Sequence, residues 1–270
     1  MYNFYIRGTR GTSTMCGQKY LKYGGHTTCF SVHTALGTIV IDAGSGIVNL
    51  DKDLHTQHDH RSITMLFTHF HLDHIVGLPS FTPLYDKNAT ISMMADSARP
   101  DNWKQTLTTF MSKPYWPVKL GETQAKLEFK DLPTDTSSME IYGLKVSWFK
   151  VPHPQQSLSF KIDDGTTKTI IATDVEYPSS KINPEFIRFC ENADHLIFDS
   201  QYTEEEYQCY KGWGHSTWEA GANICKAASV KQLVLFHHLP DRTDDEIDEI
   251  VSKARQEFRN TVAARPNMML

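Results

Sequence analysis

The chain has 270 residues, of which 40% are hydrophobic and 22% charged, and this composition is typical of a globular protein long enough to bury a core. No apolar run reaches the length of a membrane-spanning helix, and no cationic start followed by an apolar segment resembles a signal peptide, so we expect a cytoplasmic protein without membrane contact. The net charge is −5, and the absence of any basic run of five or more residues argues against a long nucleic acid as partner.

Nothing in the chain has the composition of a linker, so we interpret residues 1–270 as a single domain. The five cysteines are scattered along the chain, and none forms a Cys-x-x-Cys pair. This usage favours reduced thiols over a disulfide framework, and it gives the cysteines no role in metal binding.

The first predicted elements are strands joined by tight turns, because short apolar stretches alternate with glycines near the start of the chain. One of these strands, Thr38–Ile41, ends at Asp42. An aspartate in this position could cap its own turn, or it could support a functional site at the end of the strand. His26, in an earlier glycine turn, could reach such a site, but an ordinary loop histidine is the favoured interpretation.

The stretch Thr68–His74 places three histidines and one aspartate within six residues, directly after the apolar run Ile63–Phe67. Imidazole nitrogens and carboxylate oxygens are ligands of zinc and the neighbouring transition metals, and two such sets can hold two ions. A loop that follows a buried strand is also where layered α/β folds form their sites. We therefore predict a metal centre rather than a chance crowding of histidines. Its candidate ligands are His69, His71, Asp73 and His74.

The segment 85–140 is the least regular part of the chain. It contains an apolar strand around Ile91 and a helical stretch from Trp103 to Met111. Tyr115 and Trp116 then lie between prolines, where they could form a stiff aromatic wall over a substrate pocket. They could equally belong to the core, and position alone does not separate the two interpretations.

Three later apolar runs also end in potential metal ligands. They are Lys145–Val151 before His153, Lys168–Thr173 before Asp174, and Gln232–Phe236 before His237 and His238. Adjacent positions of a strand face opposite sides, so only one residue of the final pair should reach the metals, and His237 is favoured. For His153 the alternative is an ordinary turn histidine.

Two Ser/Thr-x-x-Glu capping boxes predict the beginnings of helices. Thr243 and Glu246 precede a closing helix with one apolar face. Ser216 and Glu219 predict that another helix begins immediately after His215, with its amide groups and positive dipole end facing an anion beside the imidazole. Ser216 would then contact this anion. In the alternative interpretation, His215 only closes off the start of the helix.

Three of these stretches resemble the signatures of the metallo-β-lactamase fold superfamily. They are the His-x-His-x-Asp-His cluster, the strand that ends at Asp42, and the His-Ser-Thr-x-x-Glu-Ala stretch that begins at His215. The last of them is similar to an element of the phosphodiesterase branch, which contains ribonuclease Z and the phosphodiesterases of cyclic phosphates and cyclic nucleotides. The resemblance extends from Asp42 to the closing helix, although Pro154 and the residues after it depart from the commoner His-Thr-x-Gly-Ser form.

The resemblance implies an α/β fold, a four-layer αββα sandwich of two mixed β-sheets flanked by helices, with two divalent metal ions at one edge. The ions would be Zn²⁺ in the first place, with Mn²⁺ or Fe as alternatives. One ion would be held by His69, His71 and His153, the other by Asp73, His74 and His237, and both by Asp174. Asp42 would orient the ligands from behind through hydrogen bonds.

The implied activity is the hydrolysis of a small phosphodiester, most simply a cyclic nucleotide or cyclic phosphate. The metal ions would generate a hydroxide that Asp73 helps to orient, and His215 would protonate the leaving oxygen as a general acid. The acidic net charge and the lack of an inserted basic arm argue against precursor tRNA, the substrate that ribonuclease Z implies. Tyr115 and Trp116 could stack on a base. Homodimers are common in the resembled branch, although no residue of this chain establishes one.

Other functions remain open at this point. A carboxylic ester, lactone or thioester hydrolase could use the same metal ions without His215. A ribonuclease Z-like RNA endonuclease would share the whole ligand set. A di-iron redox enzyme is disfavoured, because it usually has Glu in place of His71 and carries a flavin domain. A metal-bearing sensor without turnover is the last alternative.

Overall fold

The structure, a computed structural model, describes residues 2–56, 62–98, 102–134 and 137–270. Within these ranges it contains fourteen strands and seven α-helices. In chain order the strands are β1 (Asn3–Gly8), β2 (Cys29–His33), β3 (Thr38–Ile41), β4 (Ser62–Leu66), β5 (Thr90–Asp96), β6 (Lys126–Leu132), β7 (Ser138–Ile141), β8 (Leu144–Val151), β9 (Ser157–Asp163), β10 (Lys168–Ala172), β11 (His195–Asp199), β12 (Gln232–Phe236), β13 (Thr261–Ala263) and β14 (Met268–Met269). The helices are α1 (Ile47–Thr56), α2 (Leu72–Ile75), α3 (Trp103–Phe110), α4 (Pro184–Cys190), α5 (Glu204–Tyr210), α6 (Trp218–Ala228) and α7 (Asp244–Glu257). Short 3₁₀ helices cover Gln18–Tyr20, Leu78–Ser80, Thr82–Tyr85 and Leu120–Glu122.

The strands form two seven-stranded sheets with matching topology. The order is β14-β1-β2-β3-β4-β5-β6 in the N-terminal sheet and β13-β12-β11-β10-β9-β8-β7 in the C-terminal sheet. In each sheet four neighbouring strands are parallel, β3 to β6 and β10 to β13, and the other neighbours are antiparallel. Parallel neighbours have their C-terminal ends at the same edge, so several loops can meet there.

Apolar side chains form three buried clusters that define the layers. The inner cluster lies between the sheets and includes Phe30 and Phe236, whose ring centroids are 4.7 Å apart. A second cluster packs α4, α6 and α7 on the C-terminal sheet, and a third packs α1 and α3 on the N-terminal sheet. The layers are therefore α, β, β and α, and the predicted four-layer sandwich is confirmed.

The central strands alternate between the inner cluster and an outer one, because successive side chains of a strand point to opposite faces. In β3, Ile39 and Ile41 belong to the inner cluster and Val40 to an outer one. In β12, Val234 and Phe236 likewise face the inner cluster. These strands are buried on both faces, which explains why they are continuous apolar runs and why the sequence predicts them.

The predicted closing helix is confirmed as α7. Thr243 is its N-cap, and Glu246 completes the capping box. One face of the helix packs on the C-terminal sheet. Its buried residues are Ile247, Ile250, Val251 and Ala254.

The second predicted helix is confirmed as α6, but its predicted capping residue, Ser216, is wrong. Helix α6 begins at Trp218, and its N-cap is Thr217. The Ser216 hydroxyl instead donates to the Val175 carbonyl and accepts from Tyr177 N. It therefore ties the segment before α6 to the loop after β10, and it leaves the capping role to its neighbour.

In the described part of the chain, no helix is both long and apolar enough to cross a membrane.

All five cysteines are free thiols, which agrees with the predicted absence of a disulfide framework. Cys29, Cys190 and Cys225 are buried, and burial raises the pKa of each thiol. These three thiols are therefore packing groups of the core.

Candidate active site

Three residues predicted to serve the site lie just after strand ends in the left-handed conformation. Asp42 follows β3 with a φ of 58°, Asp174 lies shortly after β10 with a φ of 54°, and His237 follows β12 with a φ of 59°. Non-glycine residues rarely adopt this conformation, which costs about 1–3 kcal/mol, so the surrounding contacts must stabilise it. Strand β12 has already ended at Phe236, so the alternation of side chains along a strand does not decide which histidine faces the site. The left-handed backbone at His237 decides it.

The first cluster of candidate ligands consists of His69, His71, His153 and Asp174, and one donor atom of each lies within 4.8 Å of the others. His153 Nε2 is 3.1 Å from His71 Nδ1, and His69 Nε2 is 3.6 Å from Asp174 Oδ1. His69 and His71 follow β4, whereas His153 follows β8 of the other sheet. This cluster therefore connects the edges of the two sheets.

The second cluster consists of Asp73, His74, His237 and again Asp174, with donor atoms within the same 4.8 Å. Asp174 Oδ2 lies 3.0 Å from His74 Nε2 and 3.2 Å from His237 Nε2. Asp73 Oδ2 lies 3.5 Å from His74 Nε2 and 3.4 Å from His237 Nε2. Because Asp174 directs Oδ1 to the first cluster and Oδ2 to the second, the two clusters share one carboxylate.

The donor atoms of these clusters fit divalent metal ions. The Nε2 atoms of His69, His74 and His237 are buried and face the carboxylate oxygens of Asp73 and Asp174 at 3.0 to 3.6 Å without a hydrogen bond of good geometry. Neutral imidazole nitrogens and carboxylate oxygens both offer lone pairs, which a cation between them would use. Imidazole and carboxylate donors suit zinc and its neighbours. The structure brings all seven predicted ligands together, and their binding of metal stays a prediction.

Asp42 supports the second cluster from behind. Its carboxylate accepts hydrogen bonds from His74 Nδ1 at 2.8 Å, Thr68 N at 2.8 Å and Thr68 Oγ1 at 2.7 Å. The first of these bonds fixes the His74 ring and leaves its Nε2 toward Asp174. Asp42 thus has the position that its predicted supporting role requires.

Two further histidine rings are oriented by groups that were not predicted. His237 Nδ1 donates to Gln201 Oε1 at 2.9 Å, and His153 Nδ1 donates to the Gly214 carbonyl at 2.9 Å. Both bonds leave Nε2 toward the clusters. Gln201 has a weak sequence signal, because it closely follows the acidic end of β11. Nothing in the sequence distinguishes the Gly214 carbonyl from any other.

The N-terminal glycine turn also reaches the site. Thr12 N donates to Asp73 Oδ2 at 2.8 Å. At Gly11, a Cβ atom would lie 2.4 Å from His237 Nδ1 and 2.5 Å from Gln201 Oε1, so only glycine fits there. In the sequence this turn is marked only by its glycines, which do not show what they approach.

Opposite pKa shifts describe the charge balance of the second cluster. Burial disfavours the charged form of His74, but the carboxylates of Asp174, Asp73 and Asp42 raise its pKa well above the usual value. Burial and the neighbouring His74 lower the pKa of His69 well below the usual value. The carboxylates around His74 therefore favour positive charge at this position, which a bound divalent ion would supply.

His215 forms a third group with Asp199 beside the clusters. Its Nδ1 donates to Asp199 Oδ2 at 2.8 Å, and its ring stacks on that of His237 with centroids 4.9 Å apart. Asp199 also accepts from Asp174 N at 3.0 Å, which connects it to the shared carboxylate. Burial alone would lower the pKa of His215, but the Asp199 carboxylate outweighs it and raises the pKa to about 9.

A cavity of about 670 Å³ opens at this edge, and this volume is typical of small-ligand sites. It reaches both clusters and the third group, because His71, Asp73 and His215 line it. Tyr210 and Trp213 form part of its aromatic surface. None of the described residues that line it is lysine or arginine.

Tyr115 and Trp116 lie away from this cavity, so they do not form the predicted aromatic wall. Trp116 packs on the core cluster of the N-terminal sheet and donates from Nε1 to the Tyr85 hydroxyl at 3.0 Å. Tyr115 is 67% exposed and lines a separate groove beside α3. The prolines around them restrict the backbone, but they do not determine which surface the rings pack against.

Three other candidate residues also lie outside the clusters. Ser216 is fully buried and bonded to backbone groups, so it is not in the predicted position to contact a substrate. His26 Nδ1 lies 3.2 Å from Ser45 Oγ, in a loop contact. His238 is buried with Nε2 3.4 Å from the Ala264 carbonyl, and burial lowers its pKa to about 3. Of the histidine pair, the favoured His237 is therefore the one that joins a cluster.

Two mixed sheets between helices, with a histidine and aspartate centre at one edge, define the metallo-β-lactamase fold. The chain belongs to the family described as the beta-lactamase superfamily domain, whose model matches residues 37–238.

Similar proteins support the same assignment. Ribonuclease Z from Haloarcula marismortui is 23% identical in an alignment 246 positions long that covers 73% of this chain and 76% of that protein. Ribonuclease Z from Leuconostoc mesenteroides subsp. mesenteroides is 22% identical in an alignment 293 positions long that covers 89% of this chain and 92% of that protein. The crystal structure of the metallo-beta-lactamase fold protein YhfI from Bacillus subtilis has a TM-score of 0.75 at 17% identity, and the match covers 100% of this chain and 98% of that one. This chain is thus a hydrolase of the metallo-β-lactamase fold.

Proposed function

We propose that this protein is a dinuclear metal-dependent phosphodiesterase that hydrolyses a small phosphodiester, most simply a cyclic nucleotide or cyclic phosphate. One observation carries the proposal: His215, paired with Asp199, lines the same cavity as the two ligand clusters that share Asp174. Hydrolysis of a phosphodiester needs stabilisation of charge on the phosphoryl oxygens and a proton for the leaving alkoxide. The clusters suit the first need and His215 suits the second.

The clusters are the proposed binding sites of two divalent ions. The proposed ligands are His69, His71 and His153 for one ion, Asp73, His74 and His237 for the other, and Asp174 for both. Zn²⁺ fits these donors best, and Mn²⁺ or Fe are the alternatives. When bound, the two ions would supply Lewis acidity and a nucleophilic water at neutral pH. Asp42 and Gln201 would keep the ligand rings in place through their Nδ1 atoms.

His215 is the proposed general acid. Its Nδ1 donates to Asp199, so Nε2 is the ring nitrogen that can donate a proton to the leaving oxygen. The Asp199 carboxylate keeps the ring in this orientation and stabilises its protonated form. General acid catalysis typically contributes about a hundredfold or more. Asp73, which accepts from Thr12 N, would help to orient the attacking water.

A small substrate is favoured over a long nucleic acid. The described residues that line the cavity include no lysine or arginine, and Asp241 adds an exposed carboxylate. A polyanion would be repelled there, whereas a single phosphodiester needs only the charge of the two ions. Ribonuclease Z-like cleavage of RNA is the second candidate, because the relatives that carry this name match most of the chain.

We also propose that the reaction takes place in the cytoplasm.

The test is turnover by metal-quantified protein on a panel of substrates. The panel contains bis(p-nitrophenyl) phosphate, 2′,3′- and 3′,5′-cyclic nucleotides, a precursor tRNA, a lactone and a thioester. We expect cleavage of a cyclic nucleotide that is lost in His215→Ala and in Asp174→Ala. Cleavage of the precursor tRNA alone would favour the second candidate. Lactone or thioester hydrolysis that is indifferent to His215, with all phosphodiesters intact, would refute the proposal.

A further inference from the structure

Three aromatic side chains, Tyr202, Tyr210 and Trp213, line the cavity beside His215, and we call them the aromatic triad. The rings of Tyr202 and Tyr210 stack with centroids 4.9 Å apart and an interplanar angle of 10°. Trp213 meets Tyr210 edge-on at 5.4 Å, and Tyr202 meets His215 edge-on at 6.0 Å. The three rings therefore form a continuous chain of contacts from the proposed general acid to the solvent, in which Tyr202 is buried and Tyr210 and Trp213 are exposed.

Trp213 is exposed, and hydrogen bonds hold the backbone on both sides of it. The residue is 63% exposed. The loop that carries it is fixed by Glu176, whose Oε1 accepts from Gly212 N at 2.7 Å and whose Oε2 accepts from Gly214 N at 2.8 Å. Gly214 packs so closely on His153 that a Cβ atom there would lie 2.2 Å from His153 Nδ1. A large indole kept exposed at a fixed position beside a site is typical of a binding surface, because pre-organisation lowers the cost of binding.

The rest of the cavity limits what can lie on the triad. Its described lining offers no side-chain cation outside the histidines, and the Asp241 carboxylate is exposed. A carboxylate accepts hydrogen bonds from hydroxyl or amino groups and repels a second phosphate. The volume of about 670 Å³ is sufficient for a ligand of mononucleotide size.

We propose that the aromatic triad is a stacking platform for a nucleobase, so that the substrate is a nucleoside with a single phosphodiester and not an aliphatic cyclic phosphate. This inference rests on the proposed function, because the phosphodiester must reach the clusters while the base lies on the triad. Stacking accepts every base, since each has a π-face, and it changes affinity by about tenfold or more per base. Trp213 provides the largest exposed face, and the triad selects for a base without selecting which one.

The variants Trp213→Ala and Trp213→Phe test the platform. Tyr115→Ala is the matched control, because Tyr115 has a similar exposure, 67% against 63%, and lies in a separate groove. The substrates are adenosine 2′,3′-cyclic phosphate and 1-O-methylribose 2′,3′-cyclic phosphate, which lacks a base. We expect Trp213→Ala to raise KM for the nucleotide about tenfold with little change in kcat. Trp213→Phe should keep most of the affinity. Neither variant should alter cleavage of the substrate without a base.

Binding of adenosine 3′-monophosphate to the metal-loaded protein gives a second readout that is independent of turnover. A stacked base should quench indole fluorescence in the wild type. In Trp213→Phe this quenching should disappear, while the affinity measured by calorimetry should fall only slightly. In Trp213→Ala the affinity itself should fall about tenfold.

Several outcomes would overturn the platform. Equal losses on the substrates with and without a base would show that Trp213 has only a structural role. Wild-type affinity in Trp213→Ala would show that no base stacks there. A dimer that Trp213→Ala abolishes, with nucleotide binding unchanged, would show that the triad contacts a second copy of the chain. If the wild type cleaves no phosphodiester, the proposed function fails, and monophosphate binding still decides whether the triad takes a base.

Discussion

The two halves of the molecule contain the same pair of groups at the site edge. In the N-terminal half, Asp42 Oδ2 accepts from His74 Nδ1, and in the C-terminal half, Asp199 Oδ2 accepts from His215 Nδ1, both at 2.8 Å. Burial lowers the pKa of both histidines, but nearby carboxylates raise it above the usual value. For His215 the main carboxylate is Asp199, and for His74 Asp42 acts together with Asp174 and Asp73. The local chemistry of the two pairs is therefore alike.

The surroundings of the two rings differ. His74 is fully buried, and its Nε2 lies among the carboxylates of Asp73 and Asp174. His215 is 8% exposed, and it lines the cavity beside the aromatic triad. In each pair the carboxylate thus fixes the orientation of the ring. Whether the ring then suits a metal or a substrate depends on what its Nε2 faces.

The largest effect is expected from Asp174→Ala, because this carboxylate is shared by both clusters. We expect the bound metal to fall below two ions per chain and the turnover of a cyclic nucleotide to fall by more than about a hundredfold. Elemental analysis and turnover measure the two quantities. Asp248→Ala, which removes a surface carboxylate paired with Lys22, is the control and should match the wild type. Full metal content in Asp174→Ala would mean that the clusters do not share a ligand.

The loss of activity in His215→Gln should depend on the leaving group of the substrate. An alkoxide needs a proton, so cleavage of a cyclic nucleotide should fall by about a hundredfold or more. A p-nitrophenolate leaves without one, so bis(p-nitrophenyl) phosphate should lose much less. Metal content should remain that of the wild type. Equal losses on both substrates would contradict the role of His215 as a general acid.

The matched substitutions Asp42→Asn and Asp199→Asn sharpen the comparison. Asp42→Asn should weaken metal affinity by about tenfold or more, because the ring it orients faces the second cluster. Asp199→Asn should keep the metal but lower turnover of a cyclic nucleotide by about tenfold or more, because the ring it orients faces the cavity. Metal titration and turnover of both variants test this contrast. If the two variants lose metal equally, the proposed division of roles is wrong.

The smallest effect is expected from Tyr115→Ala, which lies in the separate groove beside α3. An exposed residue away from the site usually changes stability by less than about 0.5 kcal/mol, and turnover should stay within about twofold of the wild type. Thermal unfolding and turnover on the substrate panel measure both. A loss of nucleotide cleavage in this variant would restore the interpretation of Tyr115 as a substrate contact.

The residues of the two clusters could be anticipated from the sequence because their signals are local. The strands β3, β4, β10 and β12 are buried on both faces, so each is an apolar run, and a histidine or aspartate follows within three residues of its end. The capping box at Thr243 is local in the same sense, because all its partners lie within one helical turn. At Ser216 the same pattern fails, because Val175 and Tyr177, 41 and 39 residues away, use its hydroxyl.

The sequence predicted the sandwich through its resemblance to the superfamily, and its strand ends predicted the residues that converge at the edge. Only the tertiary structure decided what orients and surrounds them. Gln201 reaches His237 across 36 residues, the Gly214 carbonyl reaches His153 across 61, and Glu176 reaches Gly212 across 36. Tertiary packing likewise decided that Tyr210 and Trp213 line the cavity and that Tyr115 lines a separate groove. Apolar periodicity records which face of an element is buried, whereas side-chain hydrogen bonds and ring contacts depend on which loops meet after the two sheets have packed.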